Sequence, residues 1–167
     1  MCCGVSRRPS NCPGAVESRE AARAAGGWAR GGQVIVPAFV IDASVGVKWF
    51  RDESGSKRAR ELITEHIAGR LVLTVDTLFW YEVLQAASRD GRFDDVMRVW
   101  RDLERVDLVV VPLGEEVVEA AVAVRERYGC SLYDAFAPAL ADLLDTEFFS
   151  ADRRAHGAHP RAQMIGA

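Results

Sequence analysis

From about residue 38 onward, apolar and polar positions fall into short strand-like runs alternating with helical stripes. Phe39, Val40 and Ile41 are consecutively apolar and lead into Asp42, Ala43 and Ser44. An unbroken apolar run of this kind is the pattern of a strand buried on both faces, as in a parallel sheet. It predicts a first strand over about 38–42 and a short helix over 43–50. Asp52 to Gly55 reads as a turn. Ala59, Leu62, Ile63 and Ile67 then form the stripe of a helix over 56–68, which Gly69 ends. Leu71 to Val75 is a second strand, and Asp76 or Thr77 caps a helix over 78–90 that Gly91 terminates. The apolar side of the next helix is marked by Phe93, Val96, Met97, Trp100 and Leu103. A third strand, Leu108 to Val111, closes at Pro112.

Val117, Val118, Ala121, Val122 and Tyr128 predict a helix over 115–128, stopped by Gly129. Ser131 is an N-cap for a helix of about 132–145, with Asp134 at its third position, where an acid suits the dipole. Glu147 to Ser150 and Ala162 to Ile165 read as fourth and fifth strands. Strands alternating with helices over this length predict the α/β class: an α/β/α sandwich with a central parallel sheet of four to five strands. Residues 34–167 carry the pattern. Residues 1–33, rich in Gly, Ala, Arg, Ser and Pro, show no sustained periodicity and read as a disordered or poorly ordered extension.

Charge changes the picture in one respect. The net charge of −3 divides into +3 over residues 1–33 and −6 over the rest. An acidic body does not hold nucleic acid by bulk charge, so a nucleic-acid substrate would need a metal and a few local arginines to offset repulsion. Such a body does suit a site that concentrates carboxylates around a hard cation. The four cysteines (2, 3, 12 and 130) lack the spacing of a disulfide framework or a zinc site and read as free thiols in a reducing cytoplasm. No apolar run approaches the length of a membrane span, and no signal-peptide core is present.

Four carboxylates carry the candidate chemistry. Asp42 follows a strand and is either a helix cap or a metal ligand. Glu82 falls among Leu78, Phe79, Val83, Ala86 and Ala87, inside a predicted apolar stripe, where a charge is costly unless it is paired or metal-bound. Its alternative is a buried pair with an arginine such as Arg89 or Arg125. Asp134 lies early in a helix, and Asp152 follows the apolar Phe148-Phe149, each with helix capping as its plain alternative. In a parallel sheet, strand ends and helix starts share one edge, so Asp42, Asp134 and Asp152 can converge there while Glu82 points in. Four such groups repel one another unless Mg²⁺ or Mn²⁺ is present, and that donor set suits phosphodiester hydrolysis. No phosphate loop, dinucleotide fingerprint or nucleophilic triad competes. His66, His156 and His159 each read as surface histidines.

The motifs Val40-Ile41-Asp42-Ala43-Ser44-Val45, Trp80-Tyr81-Glu82-Val83, Ser131-Leu132-Tyr133-Asp134-Ala135-Phe136 and Ser150-Ala151-Asp152-Arg153-Arg154 together resemble a PIN-domain ribonuclease of the VapC toxin type. Their acids are separated by 40, 52 and 18 residues. The resemblance covers about residues 38–166 and implies a PIN-like fold and a metal-dependent endoribonuclease with Asp42, Glu82, Asp134 and Asp152 as its acidic quartet. It also implies Ser44 and Ser150 as hydroxyls beside the metal, an RNA substrate, a homodimer and an antitoxin protein partner. Arg153, Arg154 and Arg51 are candidate phosphate contacts, each otherwise a solvated arginine. Two positions depart from the family: Val75-Asp76-Thr77 stands where a proline is usual, and Pro138 is expected to kink the helix that carries Asp134. A PIN-like binding module with little turnover is the alternative function. A phosphoacceptor receiver domain fits poorly, because the only lysines, Lys48 and Lys57, both come early.

Overall fold

A computed structural model describes residues 36–90 and 93–166; the expected extension over 1–33 and the helix stop at Gly91 lie outside these. In chain order the elements are β1 (Ala38–Ile41), α1 (Ala43–Val47), α2 (Ser56–Ile67), β2 (Val72–Asp76), α3 (Leu78–Asp90), α4 (Phe93–Val106), β3 (Val109–Val111), α5 (Glu115–Tyr128), α6 (Phe136–Leu143), β4 (Phe148–Ser150), α7 (Arg153–His156) and β5 (Ala162–Met164). The five strands form one sheet in the order β3-β2-β1-β4-β5, and every pairing is parallel.

Consecutive residues of the central strands serve opposite faces, as the period of two requires. Val40 and Phe148 pack with Val117, Ala121, Val124 and Leu140 of α5 and α6, while Ile41 and Phe149 pack with Val45, Leu62, Phe79, Val83 and Leu103 of α1 to α4. Both faces are therefore covered, which is why these strands are apolar without alternation. The architecture is the α/β/α sandwich expected from the chain pattern.

Connections β1 to β2 and β2 to β3 move outward on one side of β1, and the chain then crosses to place β4 on its other side. The carboxyl end of β1 is thus the point where strand order reverses, the usual ligand crevice of open α/β sheets. Asp42 stands there, and its N–H donates to Phe149 O at 3.0 Å.

Gly46 sets how closely α3 approaches that edge. A Cβ at this position would lie 2.5 Å from the Phe79 ring and 2.9 Å from Val83, so only glycine lets α1 and α3 pack at this separation. At the far end of the chain, Gly55 and Gly166, both with positive φ, are in mutual backbone contact and tie the residues after β5 to the turn before α2.

Some expectations are corrected. Ile67 is 67% exposed, because the helix has turned about 80° between Ala59 and a residue eight positions on. Val122 is also exposed; Val117, Ala121 and Val124 form the buried side of α5. The helix expected over 132–145 is regular only from Phe136 to Leu143. His156 and His159 are 2% and 6% exposed, buried against Phe148 rather than on the surface. A short helix, α7, which Asp152 caps, carries His156 inward.

Candidate active site

Asp42 ends β1 with extended backbone and serves as the N-cap of α1: its Oδ2 accepts from Ser44 N–H at 3.1 Å and from the Ser44 hydroxyl. The same oxygen has a long-range neighbour, Ser150 Oγ, at 3.2 Å. Ser44 Oγ in turn accepts from Ala151 N–H at 2.9 Å, and Ser150 Oγ from Asp152 N–H at 3.0 Å. The two hydroxyls thus bind the end of β1 to the loop after β4. Capping and ligand binding are compatible at Asp42. Capping consumes only Oδ2, so it leaves Oδ1 available to a ligand.

Asp134 is held differently. It lies in a turn before α6, not within a helix. Ser131 Oγ accepts from Asp134 N–H at 3.1 Å, while Asp134 Oδ2 accepts from Ser131 N–H at 3.3 Å and from its hydroxyl at 2.7 Å. This reciprocal arrangement is a capping box one turn early. Pro138 explains the displacement. As the third residue of α6 it sits where N–H groups have no helical partner, so it does not kink the helix as expected. Its missing N–H frees the carbonyl four residues earlier, that of Asp134, and its ring holds that carbonyl out of the helical spiral. His156 Nε2 takes up the freed oxygen at 2.8 Å.

Glu82 is exposed and borders the buried face of α3, which is carried by Phe79 and Val83. It is therefore not embedded in the apolar stripe, and among the described residues neither Arg89 nor Arg125 pairs with it. Protein packed around its carboxyl raises its pKa, and the charges of Asp42, Asp76 and Asp134 raise it further, to about 7. These acids share one field.

Asp76 is the acid that sequence reasoning missed. The chain pattern offers Asp76 or Thr77 as a cap, and Asp76 takes that part: its Oδ1 accepts from Phe79 N–H at 3.0 Å. Burial pushes its carboxyl up, with a smaller contribution from Asp42, against the lowering effect of the Phe79 and Leu78 amides. The signal was available, since Asp76 also ends a strand at the same sheet edge as Asp42.

Asp152 caps α7 through Ala155 N–H at 3.0 Å and reaches the site by its own N–H on Ser150. Arg153 and Arg154 are exposed beside it. Arg51 donates to Ala86 O at 2.9 Å. Ion pairs elsewhere join Lys48 to Glu53, Arg60 to Asp52 and Arg161 to Asp142 and Asp145; none among the described residues reaches Asp42, Asp76, Glu82, Asp134 or Asp152.

An all-oxygen set lacking a counter-cation fits a hard divalent ion by its chemistry. Among the described residues no three His, Cys, Asp or Glu groups stand at metal-holding spacing. Mg²⁺ does not require them to, since it commonly keeps several waters and binds through one or two carboxylates.

The family model described as PIN domain matches residues 39–158. No curated protein matches the sequence significantly. Among solved structures, the fold is similar to a chain of a toxin-antitoxin complex from Klebsiella pneumoniae, with a TM-score of 0.60 and 20% sequence identity, covering 75% of this chain and 96% of that one.

Proposed function

The chain belongs to the PIN-domain family, and from that premise we propose that it is a Mg²⁺- or Mn²⁺-dependent endoribonuclease acting as the toxin of a toxin–antitoxin pair. The observation that carries this reading is the shared field of unpaired acids at the switch point of the sheet, which raises the Glu82 pKa to about 7. Asp42, Asp134 and Asp152 would hold the ion, one or two of them directly and the others through its waters, using the oxygens their caps leave over. When bound, that ion would supply charge stabilisation at the scissile phosphate.

Glu82 has the role of orienting the attacking water and taking its proton. Ser44 and Ser150 fix Asp42, and Arg153 and Arg154 offer phosphate contacts at the rim. Hydrolysis adds water across one P–O bond of the RNA backbone. The similarity to a chain of a toxin-antitoxin complex supports a protein antitoxin as partner; a homodimer and a cytoplasmic location accompany the reading. RNA cleavage with and without EDTA tests it. Cleavage that survives both EDTA and Asp42→Asn would sink the mechanism.

The lack of a ready-made metal cage among the described residues favours one second reading, a binding module with little turnover. It predicts partner binding that is indifferent to Asp42→Asn and to chelation.

A further inference from the structure

His156 is buried to 2% exposure, yet it is not simply core. Its ring stands edge-on to Phe148, with centroids 5.3 Å apart and planes at 85°, which fixes the directions of both nitrogens. Nε2 lies 2.8 Å from Asp134 O. A carbonyl only accepts, so Nε2 carries a proton. In the neutral ring Nδ1 is then an acceptor, and it lies 2.7 Å from Ser150 Oγ. A hydroxyl has a single proton, and the imidazole is nearer to Ser150 than is Asp42 at 3.2 Å. Ser150 Oγ also accepts Asp152 N–H at 3.0 Å. One imidazole therefore spans the backbone of Asp134 on one side and, on the other, the hydroxyl that touches both Asp42 and Asp152. Helix α7 brings it there, and the carbonyl it binds meets no competing N–H from Pro138.

We infer that His156 is a positioning residue for the acidic site: it locks the Asp134 turn to the Ser150 hydroxyl, so that carboxylates from β1, the turn before α6 and the start of α7 are held in one arrangement for a divalent ion. The inference rests on the metal-dependent reading above. It concerns how the ligands are oriented, a contribution that partners behind metal ligands make through affinity. The side chains of asparagine and glutamine divide the role. Asparagine can place an acceptor near the Nδ1 position and keep Ser150, while glutamine can place a donor near the Nε2 position and keep Asp134.

The test measures Mn²⁺ affinity of the full-length, RNA-free protein by calorimetry, with thermal unfolding followed in parallel. His156→Leu is expected to weaken Mn²⁺ binding by about 10- to 100-fold, with His156→Asn and His156→Gln each giving partial rescue. His159→Gln is the control. That second buried imidazole also packs on Phe148, but it accepts Arg161 N–H at 3.3 Å and faces Asp142 rather than the site acids. It should lower the unfolding temperature and leave Mn²⁺ affinity within about twofold.

If the His156 variants bind Mn²⁺ as wild type does, whatever their unfolding temperatures, His156 only fills space and the inference is overturned. It also falls if His159→Gln weakens binding as strongly, because the effect is then general softening. Should the leucine variant not fold, the two amide variants decide alone, by weakened or unchanged affinity. Absence of Mn²⁺ binding by the wild type overturns the metal-dependent reading and this inference with it, whereas wild-type binding with unaffected His156 variants overturns the inference alone.

Discussion

Asp42 and Asp134 are both aspartates placed just before a helix, and both cap locally with one carboxylate oxygen. Beyond that they differ. Asp42 is fixed by the central strand on which it ends: β1 has a neighbour on each side, and its backbone cannot move without the sheet. Asp134 stands in a turn outside regular structure, closed on itself by Ser131 and, among the described residues, attached to the rest of the site through the His156 side chain. A strand end inherits its precision from the sheet. A turn must be given it by specific long-range bonds, and those bonds can be removed one at a time.

The largest effect should come from attacking the strand-end half directly. Asp42→Asn keeps the cap geometry but removes the charge; RNA cleavage in Mg²⁺ should fall at least about 100-fold, the rate equivalent of several kcal/mol of metal-assisted stabilisation. The melting temperature should not fall, because the substitution relieves repulsion among the acids. Gly46→Ala strikes the same half through packing. Its methyl group must displace the Phe79 ring or Val83, which costs about 1–3 kcal/mol of unfolding free energy by denaturant titration. It also moves α3, and Glu82 with it, away from Asp42, so cleavage should drop more than stability alone explains.

Pro138→Ala tests the turn half. The new N–H can compete for Asp134 O and draw residues 132–135 toward helix. We expect a loss of about 0.4–1 kcal/mol, mostly from added freedom of the unfolded chain, and a decline in cleavage smaller than that of the Asp42-side variants. If Pro138→Ala cleaves as well as wild type, the contrast between the two halves collapses.

The remaining effect is electrostatic and is read without metal. The pKa of Glu82 is raised from an ordinary 4.5 to about 7 in the folded chain, so the folded state binds its proton more tightly than the unfolded one. That contribution to stability is fully present below about pH 4.5 and is lost as pH rises through about 7. In EDTA, Glu82→Gln should therefore gain in melting temperature relative to wild type between these pH values, with a constant gain above and none below. A flat difference across the range would show that Glu82 does not share the field of Asp42, Asp76 and Asp134.

The two halves were also unequally legible. The β1–α1 motif could be read because its signals are adjacent: an apolar run, then an acid and a hydroxyl, with Asp42 capping onto Ser44 two residues on. Parallel α/β class and strand boundaries followed from the same kind of pattern to within a residue or two. The Asp134 region misled. Pro138 counted as a helix breaker against a helix begun at Ser131, whereas it occupies the first turn of a helix begun at Phe136. Glu82 pointed to the site for a mistaken reason, since it borders the buried face of α3 instead of lying within it.

Sequence by itself determined most of the elements, because apolar spacing, caps and prolines act within a turn or two of chain. It also determined which acids stand at strand ends. Only the tertiary structure decided that Asp76 shares their field, that His156 turns inward to Ser150 and Asp134, and that Gly46 sets the approach of α3. Those outcomes depend on atoms tens of residues apart in the chain being brought within a few ångströms, and neither local periodicity nor composition encodes such a distance.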